Sequence, residues 1–546
     1  MSAQPGPASA QPAPVSVQPV PVRLAPSGMV CAVDHLAAGA GVAMLRAGGS
    51  AADAAVAASA VLAVTTQYMC GMGGDLLAMV VAPGQEPVAI ESAGTAGAGA
   101  DADRLRAEGR SAMPVFGDVR AATVPGCVDG WLALHGRHGR LPLSQVLGPA
   151  HAYSDGGFPA PPALAEAAAA VAGLPGAGDF AGSGPGGALR AGDTVRRPGV
   201  ARALAAVAAE GRDGFYGGEF GTALLRLGDG YFAPEDLTAP LARWRRPVAA
   251  DAWGHRLWTA PPPSQGYLAV AAAWMAAGLD LPDTPEEPAW AHLLVEAARQ
   301  AGFDRPQVLF DGADGDALVD PHRLRPRLLA ISPERRGTLV AGRQLGGTIA
   351  LCAVDADRMG VALVQSNAVG WGARLVVPGT GIFLHNRGIG FSLEPGHPNE
   401  YGPGRRPAHT LSPLAVTRGD GTLAAVAATM GADSQPQVLL QLAARILGAG
   451  QDPGQAVAAG RWVLAGERDG PERGFSTWAD GGPGVVTVEG HAPEAWSTGL
   501  QSRGHRVERS PAWDGWFGHA HWVSVAGDHL AGGSDPRSRG GGVVAY

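Results

Sequence analysis

The stretch Gly346-Gly347-Thr348-Ile349-Ala350-Leu351-Cys352-Ala353-Val354 decides how this chain is read, because a glycine pair runs into a threonine that opens a strand-like apolar segment. A second such segment covers Gly360 to Gln365, and Asp355-Ala356-Asp357-Arg358-Met359 between them has the length and composition of a hairpin connection. With a three-residue loop over 356–358, Asp355 faces Met359, and counting back along the ladder sets Thr348 opposite Ser366. A four-residue loop shifts the partner to Asn367. In either register Gln365-Ser366-Asn367 lies beside Thr348, and cross-strand Cβ atoms ~5 Å apart allow two hydroxyls to share a hydrogen bond.

A threonine hydroxyl is a weak nucleophile until a base takes its proton. An α-amino group, with an ordinary pKa of about 7.7–8, suits that task near neutral pH, so a threonine that becomes the first residue of a chain carries both nucleophile and base. Glycines at 346 and 347 let the peptide before Thr348 adopt a strained conformation in which Thr348 Oγ attacks the Gly347 carbonyl. The ester so formed then hydrolyses, which makes Gly347 and Thr348 the expected autocleavage pair. An ordinary hairpin that begins with threonine has the same local pattern, so the hairpin alone does not decide the chemistry.

Composition narrows the field. The 546 residues are 46% hydrophobic and can bury a large core, while 82 Gly and 45 Pro punctuate apolar segments without forming a repeat. A net charge of −8 with scattered arginines excludes a basic nucleic-acid footprint. The chain has no lysine, which excludes a lysine Schiff base, a pyridoxal phosphate anchor and a Walker A loop. Cys31, Cys70, Cys127 and Cys352 form no CxxC pair and read as buried reduced thiols.

Residues 1–26, rich in Pro, Ala, Gln and Ser, read as a disordered tail without the charged and apolar regions of a signal peptide. The longest apolar run, Ala51 to Val64, is short of the ~20 residues that span a bilayer, so the expectation is a cytoplasmic protein without a membrane partner. Ser50 and Asp53 predict a capped helix that ends before Tyr68. Leu76 to Val81 and Val88 to Ser92 read as strands. Gly71-Met72-Gly73-Gly74 looks like a nucleotide loop, but a strand follows it where a dinucleotide site needs a helix. Ala163 to Ala172, Val200 to Glu210 and Ala291 to Gln300 read as helices, and the polar segment Asp311 to Gln344 as a flexible lead-in to the cleavage site.

Several motifs occur in one order along the chain: Gly48-Gly49-Ser50-Ala51-Ala52-Asp53-Ala54, Met69-Cys70-Gly71-Met72-Gly73-Gly74-Asp75, Thr123-Val124-Pro125-Gly126-Cys127-Val128-Asp129-Gly130-Trp131 and Pro262-Pro263-Ser264-Gln265-Gly266. Gly346-Gly347-Thr348, Pro378-Gly379-Thr380-Gly381, Leu411-Ser412-Pro413 and Ser534-Asp535-Pro536-Arg537 continue the series. From about residue 27 to its end the chain thereby resembles the γ-glutamyltranspeptidase family of N-terminal nucleophile hydrolases. The resemblance implies an α+β fold, a four-layer αββα sandwich, in one composite catalytic unit. It implies a large subunit of residues 27–347 and a small subunit of 348–546, both cut from one precursor. Thr348 is then the nucleophile, Ser366 orients its hydroxyl, and backbone N–H groups of Gly431 and Ala432 in the Met430-Gly431-Ala432-Asp433 turn hold the oxyanion. A small-molecule substrate and no cofactor are implied, and association beyond the subunit pair stays open.

The sequence departs from the family where glutamyl groups are bound. The segment that carries a carboxylate-binding arginine in glutamyl-specific members reads Glu91-Ser92-Ala93-Gly94-Thr95-Ala96-Gly97 here. The acidic residue expected before Phe391-Ser392 is replaced by Ile389 and Gly390. Asn367, Arg374, His385, Asn386, Arg387, His409 and Thr410 are the polar residues available to bind a different substrate. His519-Ala520-His521 offers two histidines but no third ligand, so no metal is expected. The short Glu394 to Pro407 segment points to an open site.

Taken with the missing glutamyl contacts, the family resemblance points to a specialised substrate. One candidate is hydrolysis of a carbon–carbon bond next to a carbonyl, as relatives perform in actinobacterial 4-alkylproline antibiotic pathways. A conventional γ-glutamyl transferase or hydrolase with relocated contacts is the alternative, and an unprocessed noncatalytic binding protein is the third reading.

Overall fold

In the computed structural model, residues 20–339, 347–465 and 484–546 are described. Two large sheets dominate. In chain order their strands are β1 (Arg23–Ala25), β2 (Met29–Ala32), β3 (Asp75–Val81), β4 (Val88–Ser92), β5 (Arg243–Arg245), β6 (Val248–Ala252), β7 (His255–Thr259), β8 (Gly347–Val354), β9 (Gly360–Ala368), β10 (Leu414–Thr417), β11 (Leu423–Thr429), β12 (Ala520–Ala526), β13 (His529–Ser534) and β14 (Gly542–Ala545). One seven-stranded sheet runs β1-β13-β12-β11-β10-β7-β6 and the other β14-β2-β8-β9-β3-β4-β5.

Helices cover the outer face of each sheet. α1 (His35–Arg46), α2 (Ala51–Thr65) and α3 (Cys127–His138) pack on the sheet that contains β8. α4 (Tyr267–Ala277), α5 (Pro288–Gly302) and α6 (Gln435–Ala443) pack on the sheet that contains β11. A third apolar cluster, including Cys31, Leu77, Ala350, Val364, Val426 and Val523, fills the space between the sheets. The result is the four-layer α+β sandwich. Strands buried on both faces carry continuous apolar runs in place of alternation, which is why β3 and β8 offered no period-2 signal in the sequence.

α2 begins as expected. Ser50 accepts from the Asp53 amide at 3.2 Å while Asp53 Oδ2 accepts from the Ser50 amide at 2.8 Å, closing a capping box. Every residue of α2 is buried, and its alanines let the helix lie close against the sheet. Asp355 Oδ2 accepts from the Ala51 amide at 2.9 Å, tying the start of α2 to the β8–β9 turn.

That turn has the expected register. Asp355 N–H donates to Met359 O at 3.1 Å, and Ile349 to Val354 pair with Gln365 back to Gly360. Arg358 closes the three-residue loop at φ +68°, a left-handed residue of the kind such loops require. The ladder shifts between Gly347 and Ile349, so Thr348 sits at an irregularity where Gly347 pairs with Ala368.

Several expectations change. Arg23–Ala25, inside the stretch read as a tail over residues 1–26, pair with Gly532 to Leu530 as the edge strand β1; residues 1–19 lie outside the described residues. The segment from Asp311 read as a flexible lead-in contains two helices, Gly315–Val319 and Pro321–Leu329, whose N-caps are Asp314 and Asp320. The acidic residues that suggested a solvated linker are the caps that start those helices. Gly346 and the rest of 340–346 lie outside the described residues. All four cysteines are buried and free.

Candidate active site

Alternation along a strand fixes which side chains meet. On β8, Ile349, Leu351 and Ala353 face the helices while Ala350, Cys352 and Val354 face the second sheet, so Thr348 faces between the sheets. By the same alternation Ser366 on β9 and Asp75 on β3 point into that space. Ser366 is the register partner of Asp75, and the three polar residues form a row across β8, β9 and β3 at one end of an otherwise apolar layer.

Thr348 Oγ1 lies 3.2 Å from Ser366 Oγ, and both residues are fully buried. Ser366 Oγ also accepts from the Ala368 amide at 2.8 Å, which holds the hydroxyl at the end of β9 beside Thr348. Asn367 does not join the pair. Its Nδ2 donates to Gln67 O at 2.8 Å and its amide to Met69 O at 2.9 Å, so it anchors the loop before β3.

That loop explains its glycines. A Cβ on Gly74 would lie 2.3 Å from Ser366 O, and one on Gly73 would lie 2.2 Å from Phe383 O. The Gly73 and Gly74 carbonyls accept from His385 and from Gly126 and Cys127 at 3.0 Å. The Gly71-to-Gly74 motif is thus a close-packing device that sets Asp75 at the head of β3 and His385 beside it.

Asp75 is the centre of the polar site and was given no role from sequence. Its Oδ2 accepts from Arg387 Nε at 2.6 Å and lies 3.0 Å from His409 Nε2 and 3.3 Å from His385 Nδ1. Burial would push the Asp75 carboxyl up, but Arg387 and His409, with hydrogen bonds from His385 and His409, outweigh it and hold the carboxyl well below the usual range. His409 Nδ1 accepts from the Leu411 amide at 3.2 Å, which leaves the proton on Nε2 facing Asp75. Burial, reinforced by Arg387, lowers the His409 pKa to about 4. His385 Nε2 lies 3.1 Å from Thr123 Oγ1, which donates to Ala93 O at 3.0 Å. A carboxylate opening an all-apolar strand was the available signal for Asp75, since a buried charge must be paired.

Arg387 extends the network through Nη1 to Thr410 Oγ1 at 3.1 Å. The Thr410 carbonyl accepts from Gln265 Nε2 at 2.9 Å, and the same amide donates to Ala432 O at 2.8 Å. Gln265, quoted within the Pro262-to-Gly266 motif but given no role from sequence, therefore pins the 409–410 loop to the Gly431-Ala432 turn. Gly431 (φ +131°) and Ala432 (φ +52°) turn the chain sharply, and a left-handed alanine costs about 1–2 kcal/mol. The Gly431 and Ala432 amides donate to no carbonyl among the described residues. Asp433 beside them is buried against Arg305 at 2.8 Å; burial pushes its carboxyl up, opposed by that arginine.

Besides Asn367, two candidates fall outside this cluster. Asn386 is consumed locally, accepting from Val369 N–H at 2.9 Å and donating to Val115 O at 3.0 Å. Arg374 is exposed on the loop after β9, with its guanidinium 4.0 Å over the Phe116 ring. Thr348, Ser366, His385, Arg387, His409, Thr410, Gly431 and Ala432 are brought together.

The buried histidines make the fold acid-sensitive. Burial lowers His409 and His519 to about 4 and His505 and His521 to about 3. In the unfolded chain these rings take up protons as pH falls through about 6.5, but in the folded chain His409 and His519 do not until about 4, nor His505 and His521 until about 3. The stability they contribute is complete above 6.5 and is lost as pH falls toward 4, at about 1.4 kcal/mol per histidine per pH unit. The urea midpoint should therefore drop by a large fraction between pH 7.5 and pH 5, and an unchanged midpoint would refute the assignment.

Among the described residues no group of three or more His, Cys, Asp or Glu side chains is placed to hold a metal, and no helix is long and apolar enough to cross a membrane.

Known proteins share both sequence and fold. The Gamma-glutamyltranspeptidase family model matches residues 37–545. A glutathione hydrolase-like YwrD proenzyme of Bacillus subtilis is 33% identical over 527 residues, covering 94% of this chain and 98% of that protein. An oxamate amidohydrolase proenzyme of Klebsiella pneumoniae is 32% identical over 535 residues, covering 94% and 97%. The crystal structure of cephalosporin acylase from Bacillus halodurans superposes with a TM-score of 0.87 at 30% identity, covering 99% of each chain. With these matches and the sandwich described above, the chain belongs to the γ-glutamyltranspeptidase family of N-terminal nucleophile hydrolases and is an enzyme of that hydrolase and acyltransferase class.

Proposed function

We propose that the chain is cut between Gly347 and Thr348 and that the freed Thr348 is the nucleophile of an amide hydrolase or acyltransferase whose acyl group is not glutamyl. The observation that carries this reading is the buried Thr348–Ser366 hydroxyl pair at 3.2 Å, at the head of β8. In the first step the Thr348 α-amine takes the hydroxyl proton while Oγ adds to the substrate carbonyl. The amides of Gly431 and Ala432 hold the oxyanion. Collapse breaks the carbonyl–nitrogen bond, the ammonium returns its proton to the leaving amine, and an ester to Thr348 remains. Water or an acceptor amine then releases the acyl group.

A non-glutamyl substrate is supported by the shape of the site. Ala93 to Gly97, which adjoins His385 through Thr123, carries no cation, and a Cβ on Gly94 would lie 1.8 Å from Val124 O. No acidic side chain fits at Gly390, where a Cβ would lie 2.4 Å from Ala408 O. The relatives named for oxamate and cephalosporin show that the family's acyl groups extend beyond glutamate. Carbon–carbon hydrolysis next to a carbonyl is the second reading. It uses the same nucleophile and oxyanion donors, with a carbanion in place of the amine as leaving group, and is favoured by the same missing glutamyl contacts.

Intact mass under denaturing conditions tests the cut: two chains dividing before Thr348 are expected, and one stable full-length chain would sink the reading. Chromophore release from γ-glutamyl-p-nitroanilide would return the substrate to the conventional class. Ser366→Ala should slow turnover and processing by about 5- to 150-fold, the cost of an unmet buried hydroxyl of about 1–3 kcal/mol. Wild-type rates in that variant would remove Ser366 from the site.

A further inference from the structure

Resting on the threonine-hydrolase reading, we propose that Arg387 sets specificity and that the acyl donor is the monoamide of a short dicarboxylic acid, its free carboxylate held by the Arg387 guanidinium. Arg387 is 1% exposed. Its Nε is committed to Asp75 and one Nη1 proton to Thr410, but Nη2 meets no acceptor among the described residues. Nη2 therefore offers unmet N–H donors beside Nη1, donors of the kind that a carboxylate takes. Thr410 Oγ1 accepts from Nη1, so its own proton is available to the same anion. The complement of these unmet N–H and O–H donors is an anion.

The guanidinium is linked by contacts to both parts of the reaction centre. On one side Asp75 is the β3 neighbour of Ser366, which adjoins Thr348, a distance of two strand spacings or ~10 Å. On the other, Thr410 and Gln265 connect Arg387 to the Ala432 turn. Under this proposal the acyl carbonyl lodges at that turn and the carboxylate, a few bonds away, reaches Arg387 along the side that Thr410 and Gln265 line. Two buried acceptors, Asp75 Oδ1 and Gln265 Oε1, also lack donors among the described residues, and the NH₂ of a primary amide can supply them. Carboxylate and amide together match both halves of this unfilled set, whereas the acidic residue that the family resemblance implies for a glutamyl amine is replaced by Ile389 and Gly390.

The test compares ammonia release from oxamate, malonamate and succinamate with release from acetamide, propanamide and butanamide, and measures malonate binding to the same preparation by calorimetry. At least one monoamide should be hydrolysed with a kcat/KM about 30-fold or more above the neutral amides, and malonate should bind. Arg387→Lys keeps a cation facing Asp75 but not the planar fork, so it should abolish malonate binding and lose about 30-fold on the monoamides, mainly through KM. Should that variant not fold, the wild-type comparison decides alone. A protein cut before Thr348 that binds no malonate, or that treats neutral and carboxylate amides alike, overturns the carboxylate proposal and leaves the threonine reading standing. An uncut chain fails the threonine reading, and malonate binding to it is judged by the same criterion.

Discussion

Thr348→Ala will give a single uncut chain of 546 residues, and its turnover will fall by a factor on the order of 10⁴ or more, because one substitution removes the nucleophile and keeps the base locked in a peptide bond. Alanine keeps the threonine Cβ and introduces no new atoms into the buried site, so the fold should persist and the loss should be chemical. Thr348→Ser supplies the control. It keeps a hydroxyl 3.2 Å-class distance from Ser366 in reach and should still be cut, more slowly. Intact mass over a time course reads both outcomes. Cutting in the alanine variant would place the scissile bond elsewhere and remove Thr348 from its role.

The second large effect belongs to Asp75. Asp75→Asn should destabilise the protein by about 3–5 kcal/mol, because a buried pair broken on one side leaves the other charge uncompensated. Three donors converge on Oδ2, from Arg387, His385 and His409. Asparagine preserves the shape and one acceptor oxygen but supplies no charge, and its NH₂ faces donors if the amide is flipped. The urea midpoint of the purified variant measures the loss. A midpoint within experimental error of wild type would mean that Arg387 is charge-balanced by another group.

The β8–β9 hairpin was readable because its signal is local. A turn of acidic residues and two apolar runs set Thr348 beside Ser366 or, with a longer loop, Asn367; the ladder keeps the three-residue register as far as Ile349 and Gln365, and Thr348 Oγ1 meets Ser366 Oγ at the irregularity beyond, while Ser50 with Asp53 marked the start of α2 in the same way. The Asp75 network was not readable by spacing. Its members come from residues 75, 123, 265, 385, 387, 409 and 410, and only the packing of β3 against β9, with the loops folded over its end, brings them together. The family resemblance supplied Arg387, His409 and Thr410 as candidates but could not separate them from Asn386 and Arg374, whose partners are backbone groups and the Phe116 ring. Composition misled once, where acidic caps of two short helices after Asp311 resembled a solvated linker.

The order of strands carries one more consequence. In the sheet that runs β14-β2-β8-β9-β3-β4-β5, strands from before Thr348 are interleaved with strands from after it, and the other sheet likewise mixes β1, β6 and β7 with β10 to β13. A cut before Thr348 is then a nick in woven cloth: two polypeptides result, each missing threads that only the other holds. Neither piece holds a complete copy of either large sheet, so the pieces part only when the whole weave unravels.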